Sequence, residues 1–286
     1  MKHLLSFLLF LTTFSFTSAQ SNHSLSFDGV DDYVSMGDVL DPESDFSFST
    51  WVYIEEQTYS AIASKRVYPG VYSGWDFVFE NDENGSGDDG IKFAVYDNNI
   101  KGEVVFPLIF NEWIHCVGVF DAGNSLKLYV NGELVDTDES VPGDLPNNDG
   151  TFFIGALEVN NSWNAKGKID YTSFWNIALS QEQIQSYMNT PLSGDESGLV
   201  GYWDFNDGEG STLTDLSGNG NNGTINGATW SDDVPIFSRH LVYENVSQIE
   251  EVFAFDLDSD GDNDIMSATI SGDNLRWFEN KISEPF

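Results

Sequence analysis

The segment Phe46-Ser47-Phe48-Ser49-Thr50-Trp51-Val52-Tyr53-Ile54 alternates with a period of two, the spacing at which successive side chains point to opposite faces of a strand. Phe46, Phe48, Thr50, Val52 and Ile54 fall on one face, with Trp51 and Tyr53 on the other. Apolar groups on both faces predict a strand covered on both sides. A second strand-like run folds back on itself. Leu126-Lys127-Leu128-Tyr129-Val130 and Glu133-Leu134-Val135 flank Asn131-Gly132, the pair that accepts positive φ at both central positions of a type I′ turn. Turn-rich stretches rather than long polar linkers separate such runs from about residue 21 to 190. The pattern predicts one antiparallel sandwich. A single short helix is expected within it. Ser180-Gln181-Glu182-Gln183 is a capping box, with Leu179 and Ile184 spaced to form a hydrophobic staple. The helix should run to about Met188 and end before Pro191.

The chain begins Met1-Lys2-His3, runs apolar from Leu4 to about Phe16, and reaches the small residues Thr17-Ser18-Ala19 ahead of Gln20. Positive start, apolar centre and small-residue exit predict a secretory signal over residues 1–19. A membrane anchor needs about 20 largely apolar residues, and this run is interrupted by Ser6, Thr12, Thr13 and Ser15. No later stretch approaches that length, so the expectation is a secreted or cell-surface protein without membrane insertion. Composition agrees. With 11 Lys+Arg against 47 Asp+Glu, the formal net charge is -36, a field that repels nucleic acid and anionic membranes and draws divalent cations. Cys116 is the one cysteine, which excludes an intrachain disulfide. Its apolar surroundings predict a buried small hydrophobe. A metal that binds only the folded state is one substitute for a disulfide.

The acidic character is sharpest near the C-terminus. Asp256-Leu257-Asp258-Ser259-Asp260-Gly261-Asp262-Asn263-Asp264 sets carboxylates at loop positions 1, 3, 5, 7 and 9, and Gly261 permits a sharp turn. Alternate oxygens in a tight loop converge on one hard cation, so Asp256, Asp258, Asp260, Asp262 and Asp264 are predicted calcium ligands, Asp262 through either its side chain or its carbonyl. An EF-hand would place a Glu at position 12, where Ser267 stands, and its flanks would be helical rather than strand-like. The bland alternative is an acidic turn without metal.

An ordered set of phrases resembles laminin-G-like domains of the concanavalin A-like jellyroll group. It runs from Ser24-Leu25-Ser26-Phe27-Asp28-Gly29-Val30-Asp31-Asp32-Tyr33-Val34 through Glu112-Trp113-Ile114-His115-Cys116-Val117 and Leu128-Tyr129-Val130-Asn131-Gly132. Gly167-Lys168-Ile169-Asp170, Gly201-Tyr202-Trp203-Asp204-Phe205 and Asn226-Gly227-Ala228-Thr229-Trp230 continue it. The resemblance implies two curved antiparallel sheets, frequently one calcium ion, and binding of glycans or proteins. Asp28 and Asp170 match acidic positions of the group's motifs, with Asp31 and Asp32 close to the first. The competing readings are a turn residue capping its own backbone at Asp28 and a solvated strand-end carboxylate at Asp170. Farther on, Val252-Phe253-Ala254-Phe255, the acidic loop, Ile265-Met266-Ser267-Ala268 and Leu275-Arg276-Trp277-Phe278 resemble an FG-GAP or VCBS repeat of secreted bacterial surface proteins. Such repeats build calcium-binding propeller blades, and closure takes about four to eight of them. One repeat suggests a fragment of a longer protein.

The expected architecture is therefore all-β: a signal peptide over 1–19, an antiparallel jellyroll sandwich over 20–232, and a single β-propeller-type repeat over 233–286. Catalysis is not expected. The jellyroll group includes laminarinase-type hydrolases with acids on alternating residues of one strand, but in Glu80-Asn81-Asp82-Glu83 the third acid falls on the wrong face. His3, His23, His115 and His240 show no metal-ligand spacing, and no nucleophile elbow or phosphate-cradling glycine loop occurs. Binding of an extracellular glycan or a surface protein is expected instead. Alternatives are a non-catalytic part of a larger secreted glycoside hydrolase and a structural spacer. Trp75 and Trp163, then Tyr68 and Tyr72, are the aromatic candidates for stacking on sugar rings, against the alternative of core packing.

Overall fold

The computed structural model describes residues 22–42, 44–56, 59–67, 72–80, 90–98, 100–157 and 163–235, and the backbone of three strands between 249 and 278. In chain order the strands are β1 (Ser24–Asp28), β2 (Tyr33–Gly37), β3 (Phe46–Ile54), β4 (Ser60–Val67), β5 (Tyr72–Glu80), β6 (Gly90–Asn98), β7 (Ile100–Phe106), β8 (Trp113–Asp121), β9 (Ser125–Val130) and β10 (Glu133–Asp138). They continue as β11 (Phe152–Ile154) and β12 (Lys166–Trp175), then, after helix α1 (Gln181–Met188), as β13 (Leu199–Trp203), β14 (Thr212–Leu213), β15 (Gly223–Asn226) and β16 (Thr229–Ser231). The last three are β17 (Ile249–Phe255), β18 (Asp264–Thr269) and β19 (Asn274–Phe278).

Two eight-stranded antiparallel sheets form the sandwich. Sheet I has the order β10-β9-β8-β3-β12-β1-β16, with β13 also paired to β12. Sheet II has the order β14-β15-β2-β11-β4-β5-β6-β7. The alternating segment is thus an inner strand of sheet I, hydrogen-bonded to β8 on one side and β12 on the other. Phe46, Phe48, Val52 and Ile54 enter the core against Trp75, Phe77, Phe93 and Phe152 of sheet II. Thr50 is buried too, its hydroxyl 2.9 Å from that of Thr172. Each fully buried aromatic or aliphatic side chain contributes roughly 1.5–3 kcal/mol by removal from water.

Local chemistry behaves as the residue types demand. Asn131 and Gly132 take φ of 50° and 79°, and β9 and β10 meet in register at Val130 and Glu133. Ser180 caps α1, its hydroxyl accepting from the Gln183 N–H while the Gln183 side chain accepts from the Ser180 N–H. Leu179 and Ile184 are both buried in a second apolar cluster with Val117, Val119, Tyr129, Trp175, Leu199 and Tyr202. That cluster covers the part of the outer face of sheet I that lies under α1. Cys116 is buried in the core, and burial pushes its thiol pKa up.

The strands after α1 complete both sheets, so the sandwich extends through β16 to Ser231. Beyond it, β17, β18 and β19 form an open three-stranded antiparallel sheet, and among the described residues no sheet closes on itself. The acidic loop between β17 and β18, from Asp256 to Asn263, lies outside the described residues, as do residues 1–21. Asp264 is the first residue of β18. No described helix is long and apolar enough to cross a membrane.

Candidate functional site

The outer face of sheet II is built by strict alternation along β5. Trp75, Phe77 and Phe79 enter the core, so Asp76, Val78 and Glu80 point away from it. Pairing carries the pattern across the sheet: Val78 stands opposite Ala61 and Lys92, Lys92 opposite Val105, and Ala94 opposite Glu103. Scarce cations collect here. Arg66 Nη1 lies 2.6 Å from Asp76 Oδ2, and its guanidinium stands 5.4 Å over the Tyr96 ring. The Tyr96 hydroxyl donates to Asp76 Oδ1 at 3.3 Å. Lys92 pairs with Glu80 and, at 3.2 Å, with Glu103, which also holds Lys101.

Burial and charge compete along this ladder. Burial raises the Asp76 carboxyl above the ordinary range, against the lowering effect of Arg66 and Lys92. At Lys92, burial opposes the charge, yet Glu80 and Glu103 hold its ammonium pKa up. At Glu103, burial likewise opposes ionisation, and Lys101 and Lys92 overcome it to keep the carboxyl low. Exposure rises across the face, from 1 % at Asp76 to 26 % at the Glu103 side chain and 45 % at Lys101.

One edge of the face is aromatic. Residues on either side of 158–162 lie against β4: the Ser64 hydroxyl is within 2.9 and 2.8 Å of the Ala156 and Leu157 carbonyls, and the Ala61 N–H donates to the Trp163 carbonyl at 3.0 Å. Trp163 is half-buried against Ala61, Val78 and Leu157. Its ring centroid is 4.9 Å from that of exposed Tyr59. An aromatic pair thus continues into a row of hydrogen-bonding groups, an arrangement that can take the apolar face of a sugar ring and its hydroxyls together.

Residues 28–185 match the Laminin_G_3 family, the concanavalin A-like lectin/glucanases superfamily. This chain belongs to the concanavalin A-like lectin/glucanases superfamily. Among solved structures, a candidate carbohydrate-binding protein from Bacteroides ovatus superposes with a TM-score of 0.59 at 20% identity, 77% of this chain spanning 62% of that one. The chain thus covers less than two thirds of that protein's length. A heptameric SAP-like pentraxin from Limulus polyphemus gives 0.44 at 15% identity, over 59% of this chain and 82% of its own. Domain 4 of the extracellular GH43 arabinanase AbnA from Geobacillus stearothermophilus, solved with arabinotriose, gives 0.42 at 18% identity, over 52% and 67%. At such identities the likeness is one of fold. No curated protein matches the chain.

On this superfamily scaffold the two tryptophan candidates separate. Trp75 is fully buried, its ring centroid 5.1 Å from Phe48 and 5.7 Å from Phe152, so it cannot stack on a sugar. Its place in β5 rather than a turn-rich stretch is the reason, and the period-two run Trp75, Phe77, Phe79 was the signal for it. Trp163 stays at the surface beside Tyr59, with Arg66, Tyr96 and Glu103 and the buried Asp76 and Lys92 along the ladder, none of which the sequence motifs singled out. Tyr68, the Tyr72 side chain and the acidic loop after Glu80 lie outside the described residues.

The two acidic candidates of the jellyroll also separate. Asp28, Asp31 and Asp32 bring carboxylate oxygens within 4.8 Å of one another. Asp28 Oδ1 also caps its own turn by accepting from the Val30 N–H at 2.8 Å, and Asp32 Oδ2 accepts from the Asp28 N–H at 2.8 Å. Burial, then the neighbouring Asp28 and Asp31 charges, raises the Asp32 carboxyl. Gly227, at φ +80°, lets the chain pass where a Cβ would lie 2.0 Å from Asp32 Oδ1. The donor set suits a hard, oxygen-seeking cation. The Asn164 amide donates to the Asp32 carbonyl at 3.0 Å, which ties this loop to the residue after Trp163.

Asp170 does not join that cluster. Asp28 stands opposite Lys166 on β12, four residues from Asp170. Asp170 precedes a bulge in the β12–β3 ladder at which Tyr171 adopts φ 44°. It is fully buried rather than solvated. Oδ1 accepts from the Tyr171 N–H at 2.7 Å, while Oδ2 is buried without a hydrogen-bond partner. Burial, with the charge of Asp204, raises its carboxyl well above the ordinary range. Nearby, His115 Nε2 lies 2.8 Å from the Ser49 hydroxyl beside a cavity of about 20 Å³, room for one water, and burial pushes the imidazole down to about 3. A larger cavity of about 400 Å³ opens beside Leu40, Asp41 and Phe174, but the Asp41 carboxylate is held by Lys65 and that of Asp45 by the Ala122 N–H.

Proposed function

We propose that the protein is an exported, non-catalytic carbohydrate-recognition module that holds glycan on the outer face of sheet II. The observation that carries this reading is the Tyr59–Trp163 pair at the edge of the Lys92–Glu80–Glu103–Lys101 ladder. Membership of a lectin/glucanase superfamily and the sandwich shared with the Bacteroides ovatus protein support it. The non-catalytic reading rests on the same ladder. Its carboxylates are tied into ion pairs, Asp76 with Arg66 and Glu80 and Glu103 with Lys92, an arrangement that suits binding better than proton transfer.

We also propose calcium as a structural partner. Asp28, Asp31 and Asp32 would hold one ion, which would neutralise their mutual repulsion and steady the Asn164 contact below Trp163. The loop from Asp256 to Asp264 would hold another at the head of a propeller-type repeat over 233–286. The signal-like pattern of residues 1–19, read from the sequence, supports delivery outside the cell.

Calorimetric titration of the full chain with a panel of oligosaccharides tests the site. Trp163→Ala should weaken binding of the best ligand about tenfold, the scale of one lost aromatic stack, while the melting temperature stays within a few degrees. Undiminished affinity in this variant would sink the assignment to this face.

A further inference from the structure

We infer that the glycan held on this face is an uncharged one, selected through hydroxyl groups and against uronates, sulfate esters and amino sugars. The inference rests on the recognition reading above and names the ligand class of that same site. Its basis is the pairing of charge. A chain with 11 Lys+Arg against 47 Asp+Glu places Arg66, Lys92 and Lys101 on a single sheet face, and none of the three is left for an external anion. Arg66 is committed to a fully buried Asp76, Lys92 lies between Glu80 and Glu103, and Lys101 meets Glu103.

An incoming carboxylate or sulfate would have to displace one of these partners and would then face a protein of net charge -36. Like charges at contact distance repel even where salt screens the longer range. A sugar hydroxyl meets no such barrier. It donates to the partly exposed carboxylates of Glu80 and Glu103, accepts from the Lys101 ammonium, and leaves each ion pair intact. The Trp163 and Tyr59 rings contribute contact with the C–H face of a pyranose or furanose, which is equally blind to charge. An amino sugar would be drawn by the overall field, but on this face its ammonium would compete with Lys92 and Lys101 for the same carboxylates.

The test titrates the full chain with length-matched neutral, uronate and amino-sugar oligomers at about 50 and about 500 mM NaCl, with calcium and with chelator. Neutral oligomers should bind with less than about twofold change across the salt range, and uronates at least about tenfold more weakly at the lower salt, without rescue by calcium. Equal or tighter uronate binding, or binding that appears only with calcium, overturns the inference while leaving the site standing. Strongly salt-dependent preference for the amino-sugar oligomer overturns it too. If no oligomer binds, the recognition reading itself fails and the inference with it. Glu103→Gln gives a second readout, since it frees Lys101. Affinity for the uronate should rise at least about threefold while that for the neutral oligomer falls. A parallel fall for both would show that Glu103 does not set the ligand's charge.

Discussion

The outer faces of the two sheets solve the same problem in opposite ways. Beneath α1, sheet I closes its face with apolar matter: α1 and the chain after it cover Val117, Val119, Trp175 and Tyr202, leaving a void of about 20 Å³, while Lys168 of the same sheet lies over the Tyr53 ring at its far end. Sheet II keeps charged groups on its face and satisfies them among themselves. Each face buries an aspartate, and the contrast is clearest there. Asp76 has Arg66 on one oxygen and Tyr96 on the other, whereas Asp170 has a backbone N–H on one and nothing on the other. Covered apolar surface does structural work, and a paired polar face with an aromatic edge remains available for a ligand.

The largest effect that would sharpen this contrast is expected at Arg66. Arg66→Ala leaves Asp76 buried without its counter-ion and should cost about 3–5 kcal/mol in denaturant unfolding. A loss below about 1 kcal/mol would mean that the ladder is better solvated than its burial indicates. Next is Ile184→Ala, which opens the cover of sheet I beneath α1. Unfolding free energy should drop by about 2–5 kcal/mol with glycan affinity unchanged, and a parallel loss of binding would break the assignment of separate roles to the two faces.

The smallest effect is expected at Asp170. Its folded-state pKa lies above the ordinary value of 3.8, so its contribution is fully present below that value and is lost as pH rises through the folded value. Unfolding of wild type and Asp170→Asn compared at pH about 7 and about 4 should therefore shift in favour of wild type at the acid end, by no more than about 2 kcal/mol. A variant that instead melts lower at neutral pH and no longer responds to calcium would put a cation on Oδ2.

Much of the scaffold is legible because its signals are local. The alternation of Phe46 to Ile54, the Asn131-Gly132 turn and the Ser180–Gln183 cap each need only a few adjacent residues. Trp75 was legible by the same logic, since Asp76, Val78 and Glu80 interleave with Trp75, Phe77 and Phe79. The site was not. Arg66, Asp76, Tyr96 and Glu103 come from four strands, and only the pairing of β4 to β7 sets them side by side. Motif matching likewise chose Asp28 and Asp170 from acidic positions. It could not tell that one would meet Asp31 and Asp32 while the other was enclosed at a bulge.

β12 gives one whole edge to β3 and divides the other between β1 and β13, and β1 in turn pairs with β16. Ser24 of β1 also donates to the Asp233 carbonyl, just past β16. The first strand of the sandwich is thus held by segments made some 140 to 200 residues later, a separation that slows folding through loop closure. During synthesis Leu25 and Phe27 must wait until nearly the whole sandwich has been made before they find their neighbours. Until then an unpaired, apolar edge is open to other chains, and a holding chaperone would matter most in that interval.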